Sequence, residues 1–283
     1  MLNIKKSSYL LSAVIIVLLA AVIFVENASR DKKSPEITIK GQEIEINVAD
    51  GEDVMLQGVT AEDNADGDLT DMVVVENISD FHSDGSRTVT YAVSDSSNNV
   101  AKAERKITYK DYTPPQFRLS SDLTFYSSNT SINIANAVTA TDMIDGDITP
   151  FIKLIDENIV VGQGGEYYAE VSVYNSAGDC SSIKLPVFIE SFVANPSAPE
   201  IELSDYLIYV DAGSVKPDWS QYVESVKKQS NTSETVDKEI YMETLNIDDS
   251  NVDLNTAGTY YVTFEYTGSN DLTAVTRLTV EVR

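Results

Sequence analysis

One stretch of this chain occurs twice. Val59-Thr-Ala-Glu-Asp63-Asn-Ala-Asp66-Gly67-Asp68-Leu-Thr70 returns 79 positions later as Val138-Thr-Ala-Thr-Asp142-Met-Ile-Asp145-Gly146-Asp147-Ile-Thr149. A second block, Gly85 to Asn99, matches Gly165 to Asp179 at an offset of 80, with Asp95 facing Asn175 and Asn98 facing Gly178. Gly258-Thr-Tyr-Tyr-Val-Thr-Phe-Glu-Tyr266 supplies a third copy of that block, and a proline opens each copy at Pro35, Pro115 and Pro199. Self-similarity at a fixed period rules out one large domain with a single core and calls for a tandem array. The expected divisions are 1–33, 34–112, 113–191 and 192–283.

Within a copy the period is two. Val89, Tyr91 and Val93 alternate with Thr88, Thr90 and Ala92; Tyr167, Ala169, Val171 and Val173 alternate with Tyr168, Glu170, Ser172 and Tyr174. In the third copy Tyr260, Val262, Phe264 and Tyr266 share one face. Such alternation describes a strand with one packed and one solvated face. Closing strands are expected at 106–109, 184–189 and 277–282. Gly, Asn, Asp and Ser fill the gaps, so about eighty residues with six or seven short strands predict a small β-sandwich. The fold class is therefore all-β: three tandem sandwiches preceded by one N-terminal helix.

That helix is read from Tyr9 to Val25, which carry no charge and follow Lys5 and Lys6. Seventeen helical residues span roughly 25 Å, near the lower limit for crossing a bilayer. Ala28 after Glu26 and Asn27 makes a poor cleavage site, which favours an uncleaved signal-anchor, with a cleaved signal and secretion as the alternative. The expected partner of residues 9–25 is the membrane, with 26–283 outside it.

Composition narrows the chemistry. Forty-five acidic against 20 basic residues give a net charge of −25, which repels phosphate backbones and argues against nucleic-acid binding. One His and one Cys (His82 and Cys180) exclude an intrachain disulfide, a thiolate zinc site and most triads. Ser225-Val-Lys-Lys228 has the S-x-x-K spacing of penicillin-binding enzymes but no K-T-G partner, and is read as chance.

Together the two blocks resemble the bacterial Ig-like domain of surface proteins, also known from an insecticidal crystal toxin of bacilli. Its pattern runs P-x-I, A-x-D-x-x-D-G-D-I-T, then G-T-Y-x-V-x-Y-x-V-x-D-x-x-G-N. Residues 35–191 follow it closely. In 199–283 the Gly258-Thr-Tyr260 block remains, while the D-G-D block is gone. The resemblance implies an extracellular spacer, adhesive or binding module with no catalytic activity. It points to a surface array, or alternatively to a module that binds a glycan or an envelope protein through the divergent third domain.

The acidic loops are the one chemically suggestive feature. Asp63, Asp66 and Asp68, and again Asp142, Asp145 and Asp147, gather the oxygen donors that suit Ca²⁺. Asp111 is placed to complete such a site, as linker carboxylates do in the similar arrangement of cadherin repeats. The competing reading is a tight turn in which Gly67 and Gly146 take positive φ and the Asp oxygens accept backbone N–H bonds. Both readings stand at this point. Tyr168, Tyr174 and Tyr261 are expected to be exposed and, with Trp219, could stack on sugars, although cross-strand packing is the usual explanation for such tyrosines and Trp219 is favoured as the core plug of the third sandwich.

Overall fold

The computed structural model describes residues 14–21, 30–191 and 195–283. These form two compact units, Met1–Asp111 and Tyr112–Arg283. Residues 14–21 are helical and exposed, and the rest of the expected anchor, 9–13 and 22–25, lies outside the described residues. Among the described residues no helix is long and apolar enough to cross a membrane.

The first unit holds β1 (Glu36–Ile39), β2 (Glu43–Ile46), β3 (Val59–Asp63), β4 (Gly67–Asp68), β5 (Val74–Ile78), β6 (Arg87–Ser94) and β7 (Val100–Tyr109). The second begins with β8 (Gln116–Leu119), β9 (Thr124–Tyr126), β10 (Val138–Asp142), β11 (Gly146–Asp147), β12 (Lys153–Glu157), β13 (Gly165–Tyr174) and β14 (Cys180–Glu190). It continues with β15 (Glu200–Leu203), β16 (Leu207–Val210), β17 (Val223–Lys227), β18 (Asn246–Asp248), β19 (Gly258–Thr267) and β20 (Thr273–Val282). Where the third copy has lost D-G-D, it has also lost the two-residue strand that β4 and β11 supply.

Each repeat stacks a small sheet on a larger one. The large sheets run β2-β7-β6-β5, β12-β13-β14-β9 and β16-β20-β19-β18, and the small ones β1-β3-β4, β11-β10-β8 and β15-β17. In every repeat the second strand pairs in parallel with the last: β2 with β7, β9 with β14, β16 with β20. The register even slips at the same place, between Val75 and Asn77 in β5 and between Leu154 and Asp156 in β12. The closing strands start earlier than the alternation suggested, at Val100, Cys180 and Thr273. The tight turns after β6 and β13 let the ladder pair from its first residue.

Each repeat has its own hydrophobic cluster. Val89, Tyr91, Val93 and Ile107 anchor the first, Ala169, Val171, Val173 and Leu185 the second, and Val262, Phe264, Leu278 and Trp219 the third. Pro35, Pro115 and Pro199 are all buried, so each opening proline is part of the packing. Ser172, expected outward, is buried, although Tyr168 and Glu170 on the same face are half-buried.

The second and third repeats are joined by shared side chains. Leu207 of β16 belongs to the second repeat's core, with Tyr206 and Tyr209 packed beside it. The Tyr209 hydroxyl donates to the Phe117 carbonyl at 3.0 Å and accepts from the Phe117 N–H at 2.8 Å. Arg277 pairs with Glu190 at 3.0 Å and lies 3.9 Å over the Phe188 ring.

The first core contains a charge. Arg105 is 1% exposed and occupies, in the paired ladders, the position of Leu185 and Leu278. Its guanidinium donates to the carbonyls of Gln57 (2.9 Å) and Met55 and to the Tyr91 hydroxyl (2.8 Å). Tyr91 in turn donates to the Met55 carbonyl at 2.6 Å. A buried cation is tolerated only where its donors are satisfied, and here backbone oxygens do that without a carboxylate. Arg105→Ala should therefore cost about 3 kcal/mol, from a cavity plus unpaired carbonyls. Far-UV circular dichroism during urea unfolding of the full chain should show an earlier transition. Fluorescence of Trp219, the sole tryptophan, reports the second unit and serves as the control.

Candidate functional site

The D-x-x-D-G-D segments fold as the same turn in both repeats. The Asp63 Oδ1 accepts the N–H groups of Ala65 (2.8 Å) and Asp66 (3.0 Å), and Asp142 Oδ1 those of Ile144 (2.8 Å) and Asp145 (3.1 Å). Gly67 and Gly146 take φ of 76° and 72°, where any Cβ would be strained. Asp68 accepts from the Thr70 N–H at 2.9 Å and Asp147 from the Thr149 N–H at 3.0 Å. The hydroxyls of those threonines accept from Ala61 and Ala140, closing the turn onto β3 and β10.

The middle aspartate reaches further. Asp66 Oδ2 accepts from the Ser96 N–H at 2.9 Å, and Asp145 Oδ2 from the Ser176 N–H at 2.5 Å. The acidic turn is thus tied to the hairpin turn that follows β6 or β13. Asp111 accepts from the Val48 N–H at 2.9 Å, so its carboxylate braces the end of the first sandwich. All seven aspartates singled out in the sequence, the six of the motif and Asp111 of the linker, thus accept backbone N–H groups. Among the described residues, Asp63 is the one of the seven gathered with two further carboxylates, those of Asp31 and Asp95. Neither neighbour lies in the motif; the equivalence of Asp95 and Asn175 was the available signal, and Asp31 had none.

The two threonine contacts fix the charge state of their partners. The Thr70 hydroxyl and then its N–H hold Asp68 below the usual carboxyl range, and Thr149 does the same for Asp147. The N–H groups of Asp66 and Ala65 lower Asp63. A carboxyl whose pKa is lowered on folding stabilises above its unfolded pKa, and that contribution is lost as pH falls through the folded value. Thermal midpoints should accordingly drop below about pH 4. Asp68→Asn with Asp147→Asn keeps an oxygen for each threonine, and should flatten that acid limb of the melting profile.

The tyrosines act as fasteners. Tyr261 donates to Glu166 at 2.9 Å and packs edge-on to Phe188 at 4.8 Å, tying the third repeat to the second. Burial, and then the Glu166 carboxylate, push its phenol up. Tyr168 donates to Asp156 at 2.9 Å, and Lys184 Nζ covers its ring at 3.5 Å. Tyr174 is exposed. Between the second and third repeats these side chains line an open groove of about 460 Å³, with Tyr168, Tyr260 and Tyr261 beside Asn158, Asn251 and Glu166. Trp219 is not part of it: its ring is in the third core and its N–H donates to Asp249 at 2.6 Å. His82 contacts Thr88 at 2.9 Å in a surface turn. Ser225 donates to Glu202 and Lys228 to Glu234, so the S-x-x-K residues do not address each other.

Among solved structures, the chain resembles the second CBM51 and INT domains of Clostridium perfringens ZmpB in complex with GlcNAc, at 18% identity and a TM-score of 0.23, covering 53% of this chain and 26% of that one. The protocadherin GammaB4 extracellular domain gives 11% identity, a TM-score of 0.22 and coverage of 90% and 52%. Drosophila N-cadherin EC1-4 gives 16%, 0.22, and 72% and 59%. The chain spans less than two thirds of each, and superpositions this loose transfer no property of those proteins. No curated protein matches the chain. Residues 37–109, from within β1 to the end of β7, do match a family, bacterial surface protein Ig-like domain, and the first sandwich is a domain of that kind.

Proposed function

We propose that the chain is an extracytoplasmic array of Ig-like sandwiches, held at the cell membrane through residues 9–25, that spaces or adheres and carries out no reaction. The supporting observation is the joint between the second and third repeats, where Leu207, Tyr209, Arg277 and Tyr261 replace a free linker by packing and hydrogen bonds. A stiff joint suits a module that must present a partner-binding end at a set distance. The net charge of −25 keeps such an array soluble and away from anionic polymers. Its partner would be a surface protein or a glycan.

Cys180 offers a direct test, being the chain's one cysteine and exposed. A membrane-impermeant maleimide should label it on intact cells. Labelling only after lysis would refute the extracytoplasmic reading.

A second reading, ligand binding, rests on the tyrosine groove. Sugar rings stack on aromatic faces, and here Lys184 occupies the Tyr168 face. If the groove takes a glycan, Lys184→Ala should strengthen the saturation-transfer signal of a bound oligosaccharide and Tyr168→Ala should remove it. Indifference to both changes would dismiss the groove.

A further inference from the structure

Asp31, Asp63 and Asp95 each bring one carboxylate oxygen within 4.8 Å of the others. They come from three separate places: the segment before β1, the end of β3 and the turn after β6. Asp63 and Asp95 are 8% and 6% exposed. Among the described residues, none of the ion pairs involves any of the three. Like charges gathered under cover repel one another and lose hydration, so counter-charge is needed to hold them; Lys33 acts on Asp63 through space but forms no ion pair with any of the three.

A second observation locates that counter-charge. Asp63 Oδ1 is occupied by two backbone N–H groups, but Asp63 Oδ2 is buried with no hydrogen-bond partner. The second repeat shows what this oxygen otherwise does. There Asn175 stands at the position of Asp95, and its Nδ2 donates to Asp142 Oδ2 at 3.2 Å and to the Tyr112 hydroxyl at 2.9 Å. The other face of the residue is unchanged: Asn175 Oδ1 accepts from the Asp179 N–H at 2.9 Å, as Asp95 Oδ1 accepts from the Asn99 N–H at 2.7 Å. One side-chain amide thus reaches Asp142 in the second repeat, whereas in the first the Asn99 amide donates to Asp95 Oδ2 at 2.6 Å and leaves Asp63 Oδ2 unpaired.

We propose that the first repeat binds a hard divalent cation, Ca²⁺, through Asp31, Asp63 and Asp95, and that the second repeat has replaced the ion with the Asn175 amide. Oxygen donors of this charge and irregular spacing suit Ca²⁺. Backbone oxygens are at hand too, since the carbonyls of Asp31 and Lys33 converge on Asn99 Nδ2 at 3.1 and 3.4 Å. The ion would clip the segment leading into the first sandwich onto that sandwich's own turn. The motif aspartates Asp66 and Asp68 stay outside the site, held by Ser96 and Thr70.

Calorimetric titration of the metal-free full chain with CaCl₂, at physiological salt with Mg²⁺ present, tests this. One Ca²⁺ per chain is expected, with a higher thermal midpoint in Ca²⁺ than in chelator. Asp95→Asn should abolish binding and with it the difference in melting between Ca²⁺ and chelator; its amide can pair with Asp63 as Asn175 does with Asp142, while the bond from Asn99 Nδ2 is lost. Asp31→Asn, in the half-buried segment before β1, should weaken binding by roughly tenfold or more and serves if Asp95→Asn misfolds. Asp147→Asn should bind as the parent does. The absence of a saturable site in the parent would overturn the proposal, as would an isotherm that the Asp95 and Asp31 variants share with it.

Discussion

Each sandwich grows from one long antiparallel hairpin. The ladders of β6 with β7, β13 with β14 and β19 with β20 run for eight to ten pairs, and their inward residues are the centre of each core. Everything else is registered against these hairpins. The second strand of each repeat lies parallel to the hairpin's outer arm, and the acidic turn is anchored to the hairpin's tip through Asp66 or Asp145. The hairpin thus sets both the packing and the place where the acidic turn sits.

What could be read from the chain follows from this. A one-sided strand must alternate, so the core positions Val89, Tyr91, Val171 and Val262 were legible, as was the turn role of Gly67 and Gly146. The extent of β7, β14 and β20 was not, because their outer halves carry polar residues whose pairing is decided by the partner strand. Arg105 could not be recognised as a core residue, since its burial depends on carbonyls of Met55 and Gln57 about fifty positions away. The carboxylate group around Asp63 was half visible. Its motif residue stood out, while Asp31 and Asp95 joined it only through the fold. The seven aspartates offered as ligands all accept backbone N–H groups, a role that spacing alone does not reveal, because it does not say which N–H groups a carboxylate will face.

The repeats differ by substitutions that preserve geometry while changing chemistry. Leu185 and Leu278 fill with hydrocarbon the place where Arg105 and Tyr91 build a polar network. Asn175 keeps the backbone hydrogen bond that Asp95 accepts and adds a donor toward Asp142. The third repeat discards the acidic turn and keeps its hairpin. A common backbone therefore holds a hydrocarbon core as well as a polar one, with side chains at fixed positions choosing between them.

Tyr209 carries a consequence of a different sort. β8 is the outer strand of its sheet, and a single phenol meets both the amide and the carbonyl of Phe117. That side chain imitates a peptide unit, so it occupies the station at which a foreign chain would begin to add itself. The contact that fastens two repeats thereby also disfavours strand addition by another molecule along this margin.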